Sequence, residues 1–287
     1  MTDSMQAPIT PEEITDYQNA IGRIEERFDV VDQRVAKIFA ATLNEDVPTK
    51  YLRALWHYGL FLPLLATPLL DADGHPPRGD FLPAVRLPRR MFAGSSLTFH
   101  RPLAIGDTVW RRSRIASVEH RRGNSGDLVF VRVAQVLMQG EDRCIEEEQT
   151  IVYRPGGGKT APVLATARAP LAVEEQGYLW LPTTTELFRY SAATFNAHRI
   201  HYELPYAQER EGYPGLVVHG PLIATRLCAF AEKLAEHELA AFTFRGEAPC
   251  FVNQEIRIVG VRTGNAVIVR AERADGKVAM SGRAVFG

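Results

Sequence analysis

The chain has 287 residues, with 33 Lys and Arg against 34 Asp and Glu, a formal net charge of −1. That balance provides no global field to draw in nucleic acid or an anionic membrane, so any anionic ligand must be met by a local patch. With 46 % apolar and 23 % charged residues, the composition excludes a disordered chain, and the length points to two similar domains or one large one.

The stretch Met1 to Glu13 contains no apolar core of a signal peptide and no Arg-rich amphipathic run. No run of ~18 apolar residues follows it, so we expect a cytoplasmic protein without a membrane partner. Cys144, Cys228 and Cys250 are odd in number and lack the paired spacing of a disulfide framework or a zinc site. A reducing compartment fits, and Cys228 reads as a core residue.

Ala40-Ala41-Thr42-Leu43-Asn44 returns 152 residues later as Ala192-Ala193-Thr194-Phe195-Asn196. Each copy is followed by an apolar stretch with a period of three and four, which predicts helices over Tyr51 to Leu65 and Leu216 to Leu234. The first then gives way to strands over Leu97 to Leu103, Thr108 to Val118, Asp127 to Gln139 and Cys144 to Arg154. Turns at Arg122-Gly123-Asn124 and Gly140-Glu141-Asp142 separate the later ones. In the second half, Phe242 to Pro249, Glu255 to Val261, Ala266 to Glu272 and Lys277 to Phe286 repeat the pattern.

Between the halves, Pro155 to Pro162 reads as a flexible linker. Its glycines do not match phosphate-loop spacing, and no helix pattern opens after them. Short connections between strands require antiparallel pairing. The layout resembles two hot-dog units in tandem, an α+β fold in which a long helix is wrapped by a curved antiparallel sheet. We place the units over residues 1–154 and 166–287, with the linker over 155–165.

The stretch Phe188 to Tyr206, followed by Gly215-Leu216-Val217-Val218-His219-Gly220-Pro221, resembles the MaoC-like hydratases and dehydratases. Within that group it is similar to the branch of mitochondrial-type 3-hydroxyacyl-thioester dehydratases and mesaconyl-C4-CoA or itaconyl-CoA hydratases. Leu87 to Asp107 resembles the first half of those double hot-dog proteins. The resemblance implies reversible hydration of a 2-enoyl-CoA thioester, an acyl-CoA substrate, no metal or other cofactor, and a homodimer.

The wider group carries an Asp and a His five residues apart, reading roughly Gly-Asp-x-Asn-Pro-x-His. Here the His falls on His201, while Asn196 takes the Asp position and His198 the Asn position. An amide cannot titrate, so Asn196 is expected to orient water or a hydroxyl while His201, near its ordinary pKa, moves protons in both directions. By resemblance, Gly220 starts the long helix, where free backbone N–H groups meet the thioester oxygen. The expected catalytic residues are therefore His201, Asn196 and Gly220; the expected substrate-binding residues are Tyr190, His198, Arg199, Arg189 and His219.

Other readings of these residues stand beside this one. His198, His201 and His219 could be metal ligands, although no carboxylate stands at a fixed offset. Gly220 could serve close packing alone, and His219 could cap the helix. Arg189 and Arg199 could hold a carboxylate or a CoA phosphate, as could Arg89 and Arg90, or all four could be solvated. In the first half no histidine falls opposite His198 or His201, so the C-terminal unit is expected to do the chemistry. The N-terminal unit, with Trp56, Tyr58 and Phe61, would then form an apolar wall or core. A hot-dog thioesterase and a non-catalytic acyl-CoA-binding subunit are the alternative functions.

Overall fold

The computed structural model describes residues 7–123, 126–235 and 237–287; Met1 to Gln6, and Asn124 of the expected turn, lie outside them. The first helix, α1 (Pro11–Gln18), is started by a capping box in which Thr10 and Glu13 exchange hydrogen bonds. After β1 (Ile24–Val30) comes α2 (Gln33–Leu43), whose N-cap Asp32 accepts from the Arg34 N–H at 2.7 Å. Four long strands follow, β2 (Arg89–Phe99), β3 (Thr108–Gly123), β4 (Gly126–Gln139) and β5 (Asp142–Arg154). The second half repeats the series with β6 (Glu175–Trp180), α3 (Thr184–Thr194), α4 (Gly220–Leu234), β7 (Leu239–Gly246), β8 (Ile256–Thr263), β9 (Ala266–Glu272) and β10 (Val278–Phe286).

All ten strands join one antiparallel sheet in the order β1-β3-β4-β5-β2-β7-β10-β9-β8-β6. Read from either edge inward, the two halves have the same order, each strand matched by the one five places later. The expected duplication is thus written in the topology. The halves meet along β2 and β7, from Gly94 opposite Arg245 to Thr98 opposite Ala241. Strand backbones come so close there that a Cβ on Gly94 would lie 2.3 Å from the Phe244 carbonyl oxygen. One apolar cluster runs beneath this seam and includes Phe39 of α2, Leu187 of α3, Leu222 and Leu227 of α4, and Phe242 of β7.

Two expectations are corrected. The helix predicted over Tyr51 to Leu65 is a single 3-10 turn, Trp56–Gly59. Leu55 and Phe61 take left-handed φ angles of 65° and 54°, and Pro63 cannot continue a helix. The apolar side chains are buried as expected, but from an irregular chain packed against α2 and α3. The predicted second helix begins at Gly220 and not at Leu216, because Val217 is extended and paired with Phe251 in an isolated antiparallel bridge.

The structural register of the duplication also differs from the sequence repeat. The N-caps Asp32 and Thr183, and the left-handed C-caps Asn44 and Phe195, both stand 151 residues apart. Val47 and Lys50 therefore face His198 and His201 in the alignment of the halves, and neither is a histidine. Residues 155–172 carry no helix or strand. Thr160 N–H donates to Gly212 O and Thr166 N–H to Ala274 O, which ties these residues to the second half of the chain. Cys144, Cys228 and Cys250 are buried and unpaired. Among the described residues no helix is long and apolar enough to cross a membrane.

Candidate active site

The site begins where α3 ends. Phe195 adopts φ 50°, an uncommon conformation for a bulky residue, and it turns the chain out of the helix axis. The Asn196 side chain then closes a local turn, its Oδ1 accepting the His198 backbone N–H at 3.0 Å. Because that donor fixes the oxygen, the Nδ2 end of the amide is left to donate elsewhere. A 3-10 turn, Arg199–His201, follows and buries His201.

His201 Nδ1 lies 2.8 Å from the Val217 carbonyl oxygen. A carbonyl only accepts, so Nδ1 carries the proton and Nε2 is a bare acceptor. The Val217 N–H in turn donates to Ile200 O at 3.0 Å, which fixes both partners. Behind His201 the ring of His219 stacks at 3.6 Å between centroids and 20° between planes. His219 is held by Ser191 Oγ, 2.9 Å from its Nε2. Burial drives the His201 pKa down to about 4 and pushes His219 well below the ordinary imidazole range. The expectation that His201 titrates near its ordinary value is therefore overturned by desolvation: at neutral pH it is a neutral base.

A cavity of about 480 Å³ opens in front of these groups, lined among others by Tyr190, Asn196, His198, His201, Gly220 and Met280. Gly220 is the first residue of α4, and its N-cap His219 makes no side-chain cap. A Cβ on Gly220 would find no atom nearer than 3.9 Å, so protein packing does not demand the glycine. Gly220 lines the cavity at the positive end of a 15-residue helix, where the first backbone N–H groups have no partner within the helix.

The remaining expected residues divide. Tyr190 is fully buried beneath the cavity, and burial raises its hydroxyl far above its ordinary range. His198 lines the cavity, with burial and the neighbouring His75 and His201 holding it well below its ordinary range. His219 reaches the site only through His201. Arg199 lies outside, paired with Glu203 at 2.6 Å and donating to Ala72 O, and Arg189 donates to Ala41 O at 3.2 Å. Neither arginine lines the cavity. Arg89 and Arg90 do, with Arg154 beside them; Arg89 is buried and committed to Glu211 at 2.7 Å.

His198, His201 and His219 do not converge as ligands, since two of the rings lie plane on plane and His219 Nε2 is bonded to Ser191. Among the described residues, the group of three close enough to share a cation is Asp73, His75 and His198, whose atoms lie within 4.8 Å. There Asp73 and His75 are bound to each other at 3.0 Å.

Sequence reasoning missed two features. One is the loop Asp71 to His75, which carries no spacing motif. The other is Glu147 on β5, buried and accepting from Tyr58 Oη at 2.8 Å, Ser95 Oγ at 2.7 Å and His57 Nε2 at 3.3 Å. In a Glu-Glu-Glu run it reads as one more solvated charge. Trp56 stacks on Phe39 in the core, while Tyr58 lines the cavity.

Residues 55–252 match the family described as hydroxyacyl-thioester dehydratase type 2. A mesaconyl-C(4)-CoA hydratase of Chloroflexus aurantiacus is 42 % identical over 277 residues, spanning 95 % of this chain and 98 % of its own length. The crystal structure of HtdX of Mycobacterium tuberculosis covers 92 % of this chain and 100 % of its own, with a TM-score of 0.68 at 16 % identity. A second Mycobacterium tuberculosis protein, described as having a double hot-dog fold, covers 92 % of this chain and 96 % of its own with a TM-score of 0.56 at 13 % identity. The fold is therefore the expected tandem hot-dog, and the chain belongs to the hydroxyacyl-thioester dehydratase type 2 family.

Proposed function

We propose that the protein adds water reversibly across the double bond of a 2-enoyl-CoA thioester to give the 3-hydroxyacyl-CoA. The observation that carries this reading is the meeting, in one cavity, of His201 with its Nε2 bare, the Asn196 amide and the start of α4 at Gly220. Nε2 of His201 takes a proton from water as the oxygen bonds to Cβ. The π electrons move toward the thioester carbonyl, and the developing oxyanion meets the backbone N–H at Gly220. Asn196 Nδ2 donates to the attacking water or to the new hydroxyl. Positioned proton transfer contributes roughly a hundred- to ten-thousand-fold, and one oxyanion donor about a hundred- to a thousand-fold. The family membership and the hydratase relative support the same chemistry. No step of this mechanism needs a cofactor.

A second carboxylate on the acyl group fits the cavity wall. Arg90 and Arg154 line it and make no ion pair among the described residues, whereas Arg89 is neutralised by Glu211. A mesaconyl- or itaconyl-type thioester is the substrate class this favours. Three buried free thiols support a reducing compartment, the cytoplasm in our reading. Ile24, Phe28 and Val30, exposed along edge strand β1, support a homodimer, which light scattering would show as twice the chain mass.

The test is a panel of mesaconyl-C4-CoA, itaconyl-CoA and crotonyl-CoA at equal concentration. Loss of the conjugated enoyl absorbance without free thiol supports hydration, and preference for the carboxylated esters supports the finer reading. Free CoA would instead identify a thioesterase, and binding without turnover an acyl-CoA-binding subunit.

A further inference from the structure

The loop Asp71 to His75 belongs to the first half of the chain yet is seated on the catalytic segment of the second. The Arg199 N–H donates to Asp73 O at 3.0 Å, and Arg199 Nη1 donates to Ala72 O at 2.8 Å. Gly74, at φ +91°, presses so close that a Cβ there would sit 1.8 Å from the Ala197 carbonyl oxygen. The loop closes on itself through Gly74 N–H to Asp71 O and Asp71 N–H to His75 O, both 2.8 Å.

Within this loop the Asp73 carboxylate grips His75 twice. Oδ1 accepts the His75 backbone N–H at 2.9 Å, and Oδ2 lies 3.0 Å from His75 Nδ1. A carboxylate at neutral pH only accepts, so Nδ1 carries the proton and Nε2 is bare. The His75 ring lies 4.2 Å from that of His198, which is 5.5 Å from His201. His75 lines the cavity together with His198, His201 and Asn196; Asp73 does not. An imidazole facing a cavity, oriented by a carboxylate behind it, is the geometry of an acid–base pair.

The site needs such a pair. Asn196 stands where the wider group has a carboxylate and cannot exchange a proton. His201 is backed by a carbonyl, which orients the ring but brings no compensating charge, and its imidazolium would lie stacked on His219. His75 differs, because Asp73 supplies a full negative charge. The groups around it are burial, Arg90, Arg78 and His198, which oppose the imidazolium, and Asp73, which favours it; on balance His75 is held below the ordinary imidazole range.

We propose that Asp73 and His75, contributed by the first unit, form the second proton-transfer group of the active site, with His75 exchanging a proton with the substrate and Asp73 positioning it. In the hydration direction His201 Nε2 takes the water proton as the O–Cβ bond forms and the π pair moves into the enolate. Before this step His75 takes up a proton from bulk water at its bare Nε2, the resulting imidazolium being held by Asp73, and it gives that proton to Cα as the pair returns, leaving neutral His75. His201 ends protonated, and bulk water carries the proton back between turnovers. The degenerate unit is then half of the catalytic machinery, an assignment that rests on the hydration reading.

The experiment compares wild type, His75→Gln and Asp73→Asn with mesaconyl-C4-CoA and crotonyl-CoA across pH, with thermal melts and metal analysis of each purified protein. For folded His75→Gln we expect kcat to fall at least about a hundredfold with KM within about threefold, and the alkaline limb of the kcat profile to vanish. Asp73→Asn keeps the acceptor for the His75 backbone N–H; it should lower kcat about tenfold or more and move that limb to lower pH, a shift that a merely structural role would not produce. Wild-type kcat in folded His75→Gln overturns the proposal, as does an Asp73→Asn effect confined to KM. A stoichiometric metal in the wild type that is lost in His75→Gln also overturns it. Wild type that hydrates neither ester sinks the hydration reading and the dyad together, whereas normal wild-type turnover with an unaffected His75→Gln sinks the dyad alone.

Discussion

At the scale of single residues, His201 is defined by what surrounds its two nitrogens. Nδ1 is committed to Val217 O, and the ring is desolvated between His198 and His219. His201→Ala should lower hydration at least about a hundredfold while CoA-ester affinity stays within a few-fold, measured by steady-state rates and by calorimetric titration. Wild-type turnover in this variant would remove His201 from the mechanism. Because burial takes its pKa down to about 4, the acidic limb of kcat/KM should lie well below the ordinary imidazole value. Brief acid assays followed by recovery at neutral pH separate this limb from unfolding. At Asn196 the Oδ1 is used by the chain itself, and the cavity sees the Nδ2 donor. Asn196→Asp keeps the turn but loses the donor, so activity should fall about tenfold or more; retained activity would mean that a carboxylate can do the work there.

At the scale of elements, the start of α4 is where the proposed mechanism stabilises the developing charge. A methyl group at Gly220 meets nothing within 3.9 Å, so Gly220→Ala should leave the melting temperature unchanged or slightly raised. The same methyl stands at the cavity wall beside the N–H donor, and kcat should fall about tenfold to a hundredfold. A drop in stability with intact kcat would return Gly220 to a packing role. The long strands were legible because side chains alternate in burial, as in β4, where Leu128 and Phe130 are less buried than Val129 and Val131. The stretch Tyr51 to Leu65 was not. Its apolar residues recur as in a helix, but they fill the space against α2 and α3 from a chain broken at Leu55 and Phe61. Period alone does not distinguish a helix from an irregular segment with the same residues turned inward.

At the scale of the whole molecule, folding buries His198, His201 and His219 and half-buries His75 in one region, and loss of solvent leads in holding all four below their ordinary pKa. A depressed folded pKa means that the unfolded chain binds protons first. The stability is therefore complete above about 6.5 and is lost as pH falls toward about 4. Glu232, raised to about 7, and Glu211, also raised by burial, act in the opposite sense over the same window, but they are two groups against four. The melting temperature should be level from neutral pH upward and fall steadily below about pH 6.5, with net proton uptake on unfolding. A flat profile between pH 6.5 and 4.5 would contradict this burial.

By itself the sequence determined the duplication, the antiparallel strands, the candidate site segment and the departure of Asn196 from a titrating carboxylate, because periodicity and side-chain chemistry are local properties. It could not place the β2–β7 seam, the depressed pKa of His201, the buried Glu147 or the docking of Asp73 and His75 onto Ala197 and Arg199. Those depend on which distant segments share a dry interior, and desolvation and juxtaposition exist only once the two units have packed against each other.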